Sequence, residues 1–281
     1  MQDAFAYCAE LVRAADRDRF LSSLFAPAEH RGALHALYAF NVEIARVREV
    51  AREALPGEIR LQWWSEVIGG ARAEEAGANP VAAALLATFE RYRLPATKLA
   101  GLIDAHRFDL YDEPMARLAD LEAYARNTSS ALLVLAAQIL AGAEGEGTVA
   151  VADAAGIAQA IAGLLRAFPV HVSRRQLYVP LDLLERHGVE PQDIFAGRSP
   201  KNLGAAFAEL RDAALSHLRA AHEDIPSLPQ AAQPAFLPVA LVRPSLDRLA
   251  RSDPFMPAEL SPWRRQWLIW RAARNPARIA G

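Results

Sequence analysis

Apolar residues return every three or four positions along almost the whole chain, and this period constrains the fold more than any other feature. A repeat near 3.6 gathers side chains on one face of a helix, whereas a strand needs strict alternation. No two alternating runs are joined by a hairpin turn, so the sequence predicts an all-α protein. Hydrophobic residues make up 52% of the 281, enough to bury a sizeable core. We expect one domain spanning residues 1–281.

The pattern predicts a first helix over Ala4–Ala15 and a second opening near Pro27. In the second, Leu34, Tyr38, Asn41 and Ala45 share a face. Gly57 marks a break before a helix over Ile59–Ile68. Pro80 opens Val81–Tyr92, and Pro95 opens Ala96–Tyr111. Asp120 reads as the N-cap of a helix over Leu121–Leu140. Gly142, Gly145 and Gly147 mark a loop, and Val149–Phe168 is helical until Pro169 kinks or ends it. Tyr178-Val179-Pro180 reads as extended, Leu181–His187 as a brief helix and Pro200–Asp224 as a long one. Eight of the 18 prolines fall between Pro226 and Pro262, which predicts short helices broken by turns. Phe236, Leu237, Val239, Leu241 and Val242 are too apolar for a free tether, so this stretch belongs to the domain. A last helix starts near Pro262.

Charge and cysteine use exclude several functions. A net charge of -2 gives no nucleic-acid footprint. Cys8 is the only cysteine, so neither an intrachain disulfide nor a multi-cysteine zinc site can form. Met1-Gln2-Asp3-Ala4-Phe5 carries an early acid and no basic cluster, which predicts neither a secretory signal nor a transit peptide. The longest apolar stretch, near Ala131–Ala143, is too short to cross a bilayer. We expect a soluble or peripheral protein in a reducing compartment, the cytoplasm.

Four stretches together resemble the squalene/phytoene synthase family. They are Leu37-Tyr38-Ala39-Phe40, Leu61-Gln62-Trp63-Trp64, Asp109-Leu110 with a helix opening at Tyr124, and Gly156-Ile157-Ala158 through Arg166 to Ser173-Arg174-Arg175-Gln176-Leu177-Tyr178-Val179-Pro180. Their order and spacing hold over nearly the whole chain. The resemblance implies an isoprenoid-synthase-like helical bundle around a central, apolar cavity, into which Ala45, Leu164 and Ala167 should point. It also implies two Asp-rich motifs on facing helices. These hold magnesium, which needs hard oxygen ligands and neutralises a departing diphosphate.

Both motifs are degraded here. Counted from Tyr38-Ala39-Phe40, the outer positions of the first fall on Ala45 and Glu49, with Arg46 beside them. Counted back from Tyr178-Val179-Pro180, those of the second fall on Ala167 and His171. Between Asp153 and Asp182 there is no acidic residue. Arg19-Phe20 stands where the family often has a Ser-Phe pair that helps bind a diphosphate. We therefore expect no catalytic residues, no metal and no cofactor; magnesium enters only if the chain is a prenyl-diphosphate transferase after all.

Within that family, the stretch Ala39-Phe40-Asn41-Val42-Glu43-Ile44-Ala45-Arg46-Val47 resembles the branch of the mitochondrial assembly factor for respiratory complex I. So do Tyr124-Ala125-Arg126-Asn127-Thr128-Ser129-Ser130 and Arg166-Ala167-Phe168-Pro169-Val170-His171, along with Ser173-Arg174-Arg175 and the region of Trp267. This resemblance implies a bacterial, non-catalytic factor in assembly of the NADH dehydrogenase. Its partners would be complex I subunits or other assembly factors, at or near the inner face of the inner membrane. The alternatives are a squalene- or phytoene-type condensing enzyme and an isoprenoid- or lipid-phosphate-binding module.

Three groups of residues carry open readings. Glu49 and Glu53 form either a displaced metal site or a solvated helix end paired with Arg46, Arg48 and Arg52. Arg166, His171, Arg174, Arg175 and Tyr178 form either an anion site, for which the guanidinium fork is suited, or structural ion pairs around a packed, neutral histidine. Trp263, Trp267 and Trp270 share a face among Arg264, Arg265, Arg271 and Arg274, which suits either an anionic membrane or the chain's own core. Of the acids near Asp109, Asp104, Asp112 and Glu113 should face water or cap helices.

Overall fold

A computed structural model describes residues 2–51, 53–198 and 201–281. Arg52, read above as a partner for Glu49 and Glu53, and Pro200, read as a helix start, lie outside the described residues. Among the described residues there is no strand. The N-terminal helices are α1 (Gln2–Ala15), α2 (Arg17–Ser23), α3 (Ala28–Ala45), α4 (Val47–Val50), α5 (Ala54–Ile68) and α6 (Ala73–Ala78). Next come α7 (Pro80–Tyr92), α8 (Ala96–His106), α9 (Leu118–Ala125), α10 (Ala131–Ala141), α11 (Val149–Arg166) and α12 (Phe168–Ser173). The remainder are α13 (Leu181–Arg186), α14 (Pro191–Phe195), α15 (Leu203–Asp224), α16 (Gln233–Phe236), α17 (Val242–Leu249) and α18 (Pro262–Arg274).

Two helices form the axis of the bundle. Every residue from Ala131 to Leu140 of α10 is buried, so this helix has no polar face to show. In α3 the run Ala33–Phe40 is likewise buried. α3 packs against α1, α7 and α10, while α11 packs against α15 and the segment just before α10. Cys8 of α1 is fully buried at the α1–α3 layer, and burial, aided by Glu43, pushes its thiol up to about 12. The apolar residues from α1 to the C-terminus join one continuous core. The proline-rich stretch contributes to it, because Phe236, Leu237, Val239, Leu241 and Val242 are all buried.

Several boundaries differ from expectation for physical reasons. α2 has no counterpart above; it exists because Asp16 caps it, its carboxylate accepting from the Arg19 backbone N–H at 3.2 Å. Gly57 does not break the chain but lies inside α5, where a Cβ would come within 2.3 Å of Leu110. The helix expected to run to Tyr111 ends at His106 and passes into a 3₁₀ turn, Phe108–Leu110. Asp120 is not an N-cap: α9 starts at Leu118, and Asp120 bonds Arg117 at 3.0 Å. Leu121–Leu140 is not one α-helix, since Arg126–Ser130 widens into a π turn. Gly156 of α11 presses on that turn so closely that a Cβ would sit 2.5 Å from the Ser130 nitrogen.

The π turn and a 3₁₀ stretch, Gly142–Thr148, join α9 and α10 into a longer helical run than the sequence suggested. Leu118–Gly145 and Val149–Arg166 are long and apolar enough to cross a bilayer, which corrects the length argument above. In this fold the bundle covers most of the first, with 72% of its apolar window buried, and half of the second, with 50%.

Candidate functional site

Helices α2, α3, α8, α9 and α11 leave an open cleft of about 240 Å³ between them. α3 supplies Asn41 and Ala45, α8 supplies His106, and α9 with the π turn supplies Tyr124, Thr128 and Ser129. α11 contributes the stripe Ala160, Gly163 and Leu164, and Arg19, Gln159 and Arg166 complete the lining. The same Arg19, Gln159, Gly163 and Arg166 also line a second cleft of about 260 Å³, reaching toward α17. Ala45 and Leu164 face the cleft as expected. Ala167 does not: it caps α11 and lines neither cleft. The cavity is also not uniformly apolar, since His106, Gln159 and the two arginines contribute polar walls.

Beneath the cleft lies a buried polar cluster around Asp109, which is 5% exposed. Its carboxylate accepts from the Tyr178 hydroxyl at 2.6 Å, from the Tyr124 hydroxyl at 3.1 Å and from His106 Nδ1 at 2.7 Å. Gln176 donates to the Asp109 carbonyl at 2.9 Å. Burial, then the Asp109 charge, raises both tyrosines well above their usual range, so they remain donors. His106 Nε2 is buried without a hydrogen-bond partner among the described residues. The sequence marked Asp109 and Tyr124 but assigned no role to His106, whose partner is only three positions on, or to Gln176, whose partner is 67 positions away.

The basic residues expected to meet an anion do not converge. Arg166 reaches the cleft and pairs with Glu259 at 3.4 Å. Arg174 instead binds Glu49 at 3.1 Å. Arg175 has a left-handed backbone, φ 59°, and its guanidinium lies 5.5 Å from the Phe195 ring centroid. Arg174, Arg175, His171 and Tyr178 line neither cleft. Arg19 is the cationic group that sequence reasoning undervalued. It is largely buried, 5.8 Å over the Tyr38 ring and bonded to Asp16 at 2.5 Å. Although burial opposes its charge, Asp16 keeps the guanidinium strongly basic.

The residues at the family's magnesium positions do not fit a metal. Ala45 and Ala167 have no donor atom. Glu49 is held by Arg46 at 2.6 Å as well as by Arg174, and these two keep it ionised below the usual carboxylate range despite partial burial. Its lone pairs are therefore committed to guanidinium groups rather than open to a cation. Among the described residues, no three His, Cys, Asp or Glu side chains gather as a metal cluster would need. Among the described residues, Glu49 and Glu53 gain no third His, Cys, Asp or Glu partner. Asp104, Asp112 and Glu113 face water, Asp104 and Asp112 paired with Arg107 and Arg48.

His171 packs as a neutral ring 4.6 Å from the Tyr178 ring. Burial pushes it down to about 4; Asp109 opposes this and Arg174 reinforces it. A histidine that must stay neutral when folded takes up its proton more readily when unfolded. Its contribution is thus intact above the unfolded pKa near 6.5 and is lost as pH falls toward 4. We expect His171→Phe to lose about 2.5 kcal/mol less stability than the parent between about pH 7 and about pH 4.5. Urea unfolding of both chains at each pH measures it, and parallel losses would refute it.

Known proteins place this geometry. The squalene/phytoene synthase model matches residues 12–271. The rat protein "NADH dehydrogenase (ubiquinone) complex I, assembly factor 6" is 34% identical over 251 residues, 89% of this chain and 75% of its own length. Phytoene synthase of Thermus thermophilus is 28% identical over 282 residues, covering 96% and 94%. A crystal structure of a dehydrosqualene synthase with ligand superposes with a TM-score of 0.84 at 17% identity, covering 97% of this chain and 96% of that one. The chain belongs to the squalene/phytoene synthase family.

Proposed function

We propose that this protein is a non-catalytic member of its family that acts in assembly of respiratory complex I. The observation that carries the reading is the fate of the metal positions. Ala45 and Ala167 offer no ligand, His171 is packed against Tyr178, and Glu49 is clamped by Arg46 and Arg174. The higher identity to assembly factor 6, 34% against 28% for the phytoene synthase, supports the same side of the family. On this reading the chain works as one domain without a resident cofactor, and its partners are complex I subunits or other assembly factors. It acts in the cytoplasm beside the inner membrane.

The alternatives have less support. A metal-dependent prenyl transfer lacks its ligand set. A lipid-phosphate site would rest on Arg19 and Arg166, which are already engaged by Asp16 and Glu259. The test is deletion of the gene, followed by native electrophoresis of membranes with an in-gel NADH dehydrogenase stain. We expect assembled complex I to fall several-fold, and plasmid-borne wild type to restore it. Unchanged complex I in the deletion strain would overturn the reading.

A further inference from the structure

Helix α18 leaves its aromatic side uncovered. The helical repeat places Arg265, Leu268, Ile269 and Ala272 on the inner side and Trp263, Trp267, Trp270 and Arg274 on the outer. On the inner side Ile269 and Ala272 are buried, and Arg265 is tied to Asp18 of α2, with one contact of 2.8 Å. On the outer side Trp263 is 82% exposed, Trp267 50% and Trp270 48%. Tryptophan is costly to leave in water, and three in one stripe make a contiguous apolar patch of the kind that marks a binding surface.

The charges around the stripe have one sign. The helix contains Arg264, Arg265, Arg271 and Arg274 and no acidic residue. Arg271 lies 4.3 Å over the Trp267 ring and Arg274 5.1 Å over Trp270, so the guanidinium groups stand on the same side as the indoles. Among the described residues, the carboxylates bonded to the helix, Asp18 and Glu259, both bind Arg265, away from the outer side. An apolar stripe edged by arginine matches the boundary of an anionic bilayer, where indoles sit at headgroup depth and guanidinium groups meet phosphate. A second copy of the same face would bring arginines against arginines. The helix has 13 residues, about 20 Å, so it can lie in the interface but not cross it.

We propose that the outer face of α18 is a docking surface for anionic lipid bilayers, seated by Trp263, Trp267 and Trp270 and steered by Arg264, Arg271 and Arg274. The proposal does not depend on a role in complex I assembly, and its test contains no protein partner. The full chain is mixed with vesicles of phosphatidylcholine alone, or of equal parts phosphatidylcholine and phosphatidylglycerol, and sedimented. Binding is expected to the anionic vesicles, with little to the neutral ones and a steep fall with added salt.

Trp263→Ser with Trp267→Ser should weaken partitioning at least roughly tenfold. Arg264→Gln with Arg274→Gln should weaken it by about fivefold for each arginine removed. Circular dichroism confirms that each variant is folded, and the arginine pair keeps the proposal testable if the tryptophan pair is not. Failure to bind anionic vesicles would overturn it, as would full binding by both folded variants. So would equal binding to neutral lipid, or a dimer broken by the tryptophan changes in place of lipid binding.

Discussion

Asp109→Ala is expected to cost about 2–5 kcal/mol of stability, because it takes the shared acceptor away from buried donors. Three donors converge on this carboxylate: the Tyr178 hydroxyl at 2.6 Å, the Tyr124 hydroxyl at 3.1 Å and His106 Nδ1 at 2.7 Å. Alanine would take the acceptor from all three; Tyr178 and His106 are buried, and each buried donor left without an acceptor costs about 1–3 kcal/mol. The loss is a large share of the 5–15 kcal/mol that holds a typical domain together. Tyr178→Phe should cost much less, since Asp109 would keep its bonds to Tyr124 and His106. Urea denaturation of the three chains measures this. A shift for Asp109→Ala no larger than that for Tyr178→Phe would refute the prediction.

The second large effect is on chemistry. Incubated with farnesyl or geranylgeranyl diphosphate and magnesium, the purified protein is expected to yield no squalene, phytoene or cyclopropyl intermediate. A metal ion neutralising the departing diphosphate supplies several kcal/mol of barrier lowering, and each 1.4 kcal/mol is about tenfold in rate. Losing that ligand set therefore removes several orders of magnitude. A readout independent of turnover is thermal unfolding with and without magnesium. A ligand that binds only the folded state raises the midpoint, so a flat response is expected. Metal-dependent product, or a midpoint that climbs with magnesium, would return the chain to the enzymes of its family.

Helix content was readable because the apolar period is local: α1, α3, α7, α11, α15 and α18 fall close to where the spacing puts them. The degraded motifs were readable as well, because alanine at positions 45 and 167 has no ligand atom to offer. The failures share a cause. The π turn at Arg126–Ser130 depends on how closely Gly156 of α11 approaches Ser130, and no pattern within either segment records that approach. Arg174 and Arg175 sit in sequence beside the old metal motif, which invited a common role with Arg166. The left-handed turn at Arg175 and the pull of Glu49 on Arg174, 125 positions away, send them elsewhere. Gln176 was silent for the same reason, since it donates to the Asp109 carbonyl from 67 positions away, while His106 lies three positions from Asp109 and nothing local tells a partner of the carboxylate from a core histidine.

Cys8 has a practical use that follows from its burial. The reactive form of a cysteine is the thiolate, and a thiol pushed up to about 12 holds almost none of it at neutral pH. With no accessible surface, it is also shielded from bulky reagents. The native chain is thus a ready-made silent background for site-specific labelling. A single cysteine introduced on an exposed position of α18 should take a maleimide fluorophore or nitroxide alone, without first mutating the wild-type thiol. Depth-resolved quenching or paramagnetic broadening could then be read from one defined position.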